Sequence, residues 1–316
     1  MRVVVFGPER RVGVWEGDRI VDLNRADPRL PSRLAELIAR GPAGIEAARA
    51  AVEKALRSGQ DDAVVARDGT RLHAPCVHRP RIGCAAGNYA EHALGSARRK
   101  GFGASAALEG IVASGEQLDA REVAARTRER ARLRGFWKDF ALPTGPDDDI
   151  AYPKRAEALD YEGEVAVVLG TPARDVPAGR GAEHIWGVTL FNDLSIRGEK
   201  VRDSLSFNLS KNFDGSAALG PCVVVGELDP ADIDIETRVN GALRQRFNSG
   251  DMIFTHAEYI EFLSRDLTLL PGDLIAGGSG PGTATDAATE YLSAGDVVEI
   301  SSPRIGVLRN RIVAAV

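Results

Sequence analysis

Residues 160–170 read Asp160-Tyr161-Glu162-Gly163-Glu164-Val165-Ala166-Val167-Val168-Leu169-Gly170, three acids running into an apolar segment. Its second half, Val165 to Leu169, is a short apolar run rich in β-branched residues, which is strand chemistry. Extending the period of two backward places Asp160, Glu162 and Glu164 on one face of that strand. Like charges two residues apart on one strand repel. They become favourable when a cation sits among them, because hard divalent ions prefer oxygen ligands. The alternative is an exposed edge strand, which often carries charge.

Outward from this stretch the pattern stays mostly β. From Gly135 onward, Gly, Pro and Asp punctuate strand candidates at Trp186–Asn192, Cys222–Val225, Thr237–Val239, Asp273–Ala276 and Asp296–Ile300. No regular alternation of strand with helix appears, which disfavours a doubly wound parallel sheet. Residues 1–24 alternate as three further strands, separated by Gly-Pro and Glu-Gly-Asp turns. Pro31 to Leu56 is amphipathic and suits one or two helices. The expected class is therefore α+β, mainly β, with a small amino-terminal α/β domain over 1–72 and a larger domain over 73–316. Within the latter, Ile82–Ala86 reads as a buried strand entering a polar turn. Residues 95–134 are rich in Ala, Arg and Glu and carry no proline, and 115–135 read as a charged helix. That helix is either a solvated face or part of a lid-like insertion over about 94–134.

Composition narrows the function classes. The chain has 316 residues with 40 Lys+Arg and 45 Asp+Glu, a formal net charge of −5. Hydrophobic residues make up 44% and charged residues 27%, which is ordinary for a globular protein and unlike a disordered or collagenous one. The mildly acidic balance argues against a nucleic-acid partner. The longest apolar runs are far too short for a membrane span, so no membrane partner is expected. Cys76, Cys84 and Cys222 are odd in number and form no CxxC pair. They read as buried free thiols in a reducing cytoplasm.

The glycine cluster Gly277-Gly278-Ser279-Gly280-Pro281-Gly282 is not a dinucleotide fingerprint, because no helix is expected to open after it. Pro281 also excludes a nucleophile elbow. The five histidines do not form HExxH. Three other segments carry chemistry. Trp186 to Arg197 runs an apolar strand straight into Asn192-Asp193, and a carboxylate at the end of a buried strand needs a partner. Asp193 is thus a candidate third metal ligand or an Asx turn, and Arg197 a candidate for bidentate binding of a substrate carboxylate. Lys211, in Lys211-Asn212-Phe213-Asp214, would hold an enolate or carboxylate oxygen, or lie on the surface. His92, in Asn88-Tyr89-Ala90-Glu91-His92, would act as a general base, or be structural.

Taken in order, these segments resemble the fumarylacetoacetate hydrolase family. The family-like pieces are Gly87–His92, Asp160–Glu164, Asn192–Arg197, Lys211–Asp214 with Leu219-Gly220-Pro221, Val239-Asn240-Gly241 with Arg244-Gln245, Asp251–Phe254, Leu269–Asp273 and Pro303–Gly306. The resemblance covers about residues 80–316. It implies a mixed β-sandwich roll, a homodimer, and a Mg²⁺ or Mn²⁺ ion held by Glu162, Glu164 and Asp193. It also implies Lys211 and His92 as catalytic groups and a small 2-oxo acid as substrate. The implied reaction is hydrolysis of a C–C bond in an acylpyruvate- or fumarylpyruvate-like 2,4-dioxo acid. Isomerisation, decarboxylation or hydration of a 2-hydroxy-dienoic acid from aromatic catabolism is the alternative. A binder without catalysis is a third reading.

Three positions depart from the family pattern. The glutamate that often follows the loop histidine by three residues is Gly95 here, so Glu91 or a residue such as Glu109 would supply the orienting carboxylate. A glutamine often found three residues after the arginine is Lys200. The usual Gly-Thr-Pro reads Gly277-Gly278-Ser279-Gly280, leaving Ser279 to replace the threonine hydroxyl. Tyr89, Lys200 and Ser279 join Arg197 as the expected substrate contacts.

Overall fold

The computed structural model describes residues 1–93, 120–129, 132–139, 143–198 and 207–315. The strands in chain order begin with β1 Arg2–Phe6, β2 Arg11–Glu16, β3 Arg19–Asp22, β4 Val64–Ala66, β5 Leu72–His73 and β6 Ile82–Ala85. They continue with β7 Gly135–Lys138, β8 Asp149–Ala151, β9 Ala158–Asp160, β10 Gly163–Leu169, β11 Ile185–Asp193 and β12 Ser195–Arg197. The last six are β13 Ala217–Val225, β14 Asp234–Val239, β15 Ala242–Asn248, β16 Leu274–Ser279, β17 Val297–Ser302 and β18 Gly306–Val313.

Among the described residues they form an 11-stranded sheet in the order β4-β3-β2-β1-β13-β11-β10-β16-β6-β7, with β5 on β1. A 5-stranded sheet runs β15-β14-β17-β18-β8, and β12 pairs with β9 in a short ribbon. Most pairings are antiparallel, but β16 with β6 and β18 with β8 are parallel. This is the expected mixed, mainly β roll.

Period-two alternation on β10 explains the layering. Val165 and Val167 join a core shared with Ile235, Val298, Ile300 and Leu308 of the 5-stranded sheet. Ala166 and Val168 join a second core on the opposite face, with Leu34, Leu37, Ala48 and Val52 of the helices Leu34–Ala39 and Gly41–Ser58. The central strand is thus buried on both faces, which excludes the edge-strand alternative for this segment. Its neighbours on the two sides are β11 and β16.

The expected elements differ in detail. The amphipathic stretch after Pro31 makes two helices, and Gly41, at φ +57, permits the change of direction between them. The amino-terminal strands continue the large sheet through antiparallel pairing of β1 with β13. Of the charged helix, Ala120–Arg128 is described. The rest of the proposed insertion over 94–119, with Gly95 and Glu109, lies outside the described residues, as does Lys200. One turn of helix, Ala284–Ala287, does open after the glycine cluster, contrary to the expectation. Thr283 caps it, its Oγ1 accepting from Asp286 N at 3.3 Å. No helix among the described residues is long and apolar enough to cross a membrane.

Candidate active site

The register of the central strands builds the site. β10 and β11 pair with Gly163 opposite Asn192 and Glu164 opposite Phe191, and Asp193 N donates to Glu162 O at 2.9 Å. The start of one strand thereby meets the end of the other. Carboxylate oxygens of Glu162, Glu164 and Asp193 lie within 4.8 Å of one another, all buried. Gly163, between the two glutamates, has no room for a side chain: a Cβ there would come 2.3 Å from Thr237 Oγ1 of the facing sheet. Its N–H donates to Gln245 Oε1 at 3.1 Å, so β15 clamps this point.

Three buried carboxylates in so small a space need compensation. Lys211 Nζ donates to Glu162 Oε2 at 2.7 Å and to Asp193 Oδ2 at 2.6 Å. Lys138 Nζ lies 2.6 Å from Asp193 Oδ1 and also donates to Lys211 O at 2.8 Å and Ser216 O at 2.7 Å. Arg197 Nη2 donates to Glu162 Oε1. Burial alone would raise the Glu162 carboxyl, but Lys211, Arg197 and His92 outweigh it and hold the group well below the usual carboxylate range. Lys211 is held above its ordinary value, because Asp193 and Glu162 outweigh its own burial.

Glu164 is the exception. Its Oε2 accepts from Gly278 N at 2.9 Å, while its Oε1 is buried without a hydrogen-bond partner among the described residues. Burial, with Asp193 and Glu162 nearby, pushes its carboxyl well above the usual range. An acceptor with no donor among the described residues, beside two further carboxylates whose oxygens now pair with Lys211, Arg197 and Lys138, is chemistry that could hold a divalent cation preferring oxygen ligands. The residues present therefore suit a Mg²⁺ or Mn²⁺ ion.

His92 contributes the second part of the site. Its Nδ1 lies 2.7 Å from Asp286 Oδ2. Asp286 in turn accepts from Gly282 N, at 3.1 Å to Oδ1, and both side chains are largely buried. The carboxylate beside His92 is thus Asp286, not Glu91. Ala93 N donates to Tyr89 O in a helical turn, and successive residues of such a turn point in different directions. Glu91 is consequently exposed while His92 is buried.

Other expected contacts are placed differently. Asp160 is not in the cluster: its Oδ1 accepts from Ala284 N at 2.9 Å, and its Oδ2 from Arg197 Nε at 3.1 Å and Thr285 Oγ1 at 2.6 Å. The strand breaks between β9 and β10, so the extrapolated alternation fails at Tyr161. Arg197 faces Glu162 and Asp160, its guanidinium paired with both of these protein carboxylates. Ser279 Oγ accepts from Gln245 Nε2 at 2.8 Å and donates to Gly163 O at 3.1 Å, which uses it as a strand latch. Tyr89 is buried with its ring edge-on to Phe247 at 5.1 Å, and points into the core.

Sequence reasoning missed two residues. Lys138 follows Phe136-Trp137 in a strand of four residues, too short to show a period. Asp286 carried a signal, the Thr283-x-x-Asp286 spacing of a helix start, which the rejection of a helix there obscured.

A family model described as fumarylacetoacetate (FAA) hydrolase C-terminal matches residues 81–313. "Oxaloacetate tautomerase YisK" of Bacillus subtilis (strain 168) is 30% identical over 313 residues, covering 95% of this chain and 94% of that protein. "Oxaloacetate tautomerase fahd2, mitochondrial" of Xenopus laevis is 28% identical over 323 residues, covering 99% of this chain and 90% of that protein. The solved structure of a fumarylacetoacetate hydrolase from Exiguobacterium antarcticum superposes with a TM-score of 0.76 at 27% identity, covering 99% of both chains.

Proposed function

The chain belongs to the fumarylacetoacetate hydrolase family, and on that premise we propose that it is a divalent-metal-dependent enzyme that interconverts the keto and enol forms of a small 2-oxo dicarboxylic acid such as oxaloacetate. The observation that carries this reading is the pairing of a buried histidine–aspartate couple with a compact carboxylate cluster. Likeness over nearly the whole chain to two oxaloacetate tautomerases supports the choice of substrate.

Glu162, Glu164 and Asp193 would hold the cation. When bound, a divalent ion supplies a Lewis acid that polarises the carbonyl of the 2-oxo acid. His92 takes the proton from the carbon beside that carbonyl and returns it to oxygen, or the reverse. Because Nδ1 faces the Asp286 carboxylate, Nδ1 carries a hydrogen and the free base of the ring is Nε2. Asp286 then stabilises the imidazolium that forms. Lys211 brings positive charge to the place where negative charge develops on oxygen.

The expected C–C hydrolase activity on an acylpyruvate- or fumarylpyruvate-like acid is the second reading. The name of the Exiguobacterium neighbour favours it, and the same histidine would then activate water. A panel of oxaloacetate and acylpyruvates with Mn²⁺ separates the two. Tautomerisation changes the enol absorbance at constant composition, whereas hydrolysis releases two acids. Enol decay no faster than the buffer rate, together with two-acid release, would reverse the order. No turnover of any panel member, with Mn²⁺ bound, would leave the protein a binder.

A further inference from the structure

We propose that Asp160 is a positioning residue that fixes the His92–Asp286 couple relative to the carboxylate cluster. The proposal rests on the reading of His92 as the base. Asp160 is fully buried, two residues before Glu162, yet it takes no part in the carboxylate cluster. Among the described residues its oxygens receive four donors from two separate elements. Arg197 Nε, on β12, reaches Oδ2 at 3.1 Å. Ala284 N reaches Oδ1 at 2.9 Å, and Thr285 N and Oγ1 reach Oδ2 at 3.3 and 2.6 Å.

Each contact leads into one half of the site. Arg197 passes on to Glu162 through its Nη2. Ala284 and Thr285 form the first turn of the helix whose next residue is Asp286, and Asp286 holds His92. Arg197 Nε also lies 3.1 Å from Thr285 Oγ1, closing the triangle. One carboxylate thus anchors both the cation-facing strand and the turn that orients the base. A four-residue helix has little intrinsic stability, so its position depends on such anchors. Losing a residue that orients a site from behind costs about 10–100-fold in activity.

The test compares wild type with Asp160→Asn, Thr285→Val and Thr285→Ser. The Asn variant places an N–H against the donors of Arg197 and Thr285. The Val variant removes one donor and leaves Asp160 intact. Two readouts are needed: the low-field Nδ1–H resonance of His92 in the substrate-free protein, and kcat, KM and Mn²⁺ affinity. Asp160→Asn is expected to lose or shift the resonance and to lower kcat about 10–100-fold, with Mn²⁺ affinity falling less than kcat because Arg197 links Asp160 to Glu162 alone of the three carboxylates. Thr285→Val follows in the same direction and Thr285→Ser keeps the resonance. An unshifted resonance in both Asn and Val variants overturns the proposal, as does a fall in Mn²⁺ affinity parallel to kcat. If wild type turns over neither oxaloacetate nor an acylpyruvate, the functional reading fails, and the resonance alone still decides the role of Asp160.

Discussion

Nδ1 of His92 and Oδ2 of Asp286 stand 2.7 Å apart although 194 positions separate them in the chain. The loop that lacks an acid at Gly95 is therefore served by a turn from the far end of the sequence. Replacing Asp286 with Asn removes the charge that supports a protonated ring and fixes its tautomer. A general-base contribution is worth about 10²–10⁴ in rate, and Asp286→Asn is expected to lose about 100-fold in kcat with folding intact. Steady-state rates and a thermal melt measure this; a loss under threefold would remove Asp286 from the mechanism.

Glu164 provides a test of the cation site. Wild type should be stabilised by Mn²⁺, by about 2.7 kcal/mol when the ion is at 100 times its Kd. In Glu164→Gln that increment disappears, because the carboxylate whose Oε1 has no partner among the described residues becomes a neutral amide. Thermal melts with and without Mn²⁺ measure the difference. Equal increments in both proteins would place the ion elsewhere.

A pH effect follows from His256, which starts the helix His256–Ser264. Its ring is buried, and Nε2 donates to Val165 O at 3.2 Å. Burial pushes the imidazole down to about 4, against an ordinary value of about 6.5. The unfolded chain thus binds this proton first. The stability from a neutral His256 is complete above about pH 6.5 and is lost as pH falls toward 4, by up to about 3 kcal/mol. Urea titrations of wild type and His256→Gln across this range should show a steeper acid loss in wild type. Parallel curves would refute the assignment.

Asn88 ties the turn before His92 to the core. Its Nδ2 donates to Phe254 O and Gly277 O, both at 2.8 Å, and its Oδ1 accepts from Phe254 N at 2.9 Å. Asn88→Ala strands these backbone groups in a buried place and should cost about 2–3 kcal/mol. The urea midpoint should fall at constant slope. An unchanged midpoint would mean that water replaces the amide.

The sequence was legible where one physical period persisted. Val165 to Leu169 and Trp186 to Asn192 are continuous enough to show a strand, and both are found two residues longer. Glu162, Glu164 and Asp193 are legible singly as acids near the ends of such runs, and it is the family resemblance that unites them as one ligand set. Local pattern carries no information on partners brought together by tertiary packing. Asp286 reaches His92, and Lys138 reaches Asp193, across strands far apart in the chain. Asp160 shows the complementary limit: the alternation of β10 stops at Tyr161, where the chain passes from the short β9–β12 ribbon into the large sheet.

Arg2 and Val3 pair with Val224 and Val223, so the first strand covers the end of β13 on that side. Modular exchange at residue 73 would consequently fail. A fragment starting there would bare the rim of β13 and an oily sheet surface, both of which invite self-association. Any shuffling of parts between relatives has to carry this seam intact, with both of its strands drawn from the same parent.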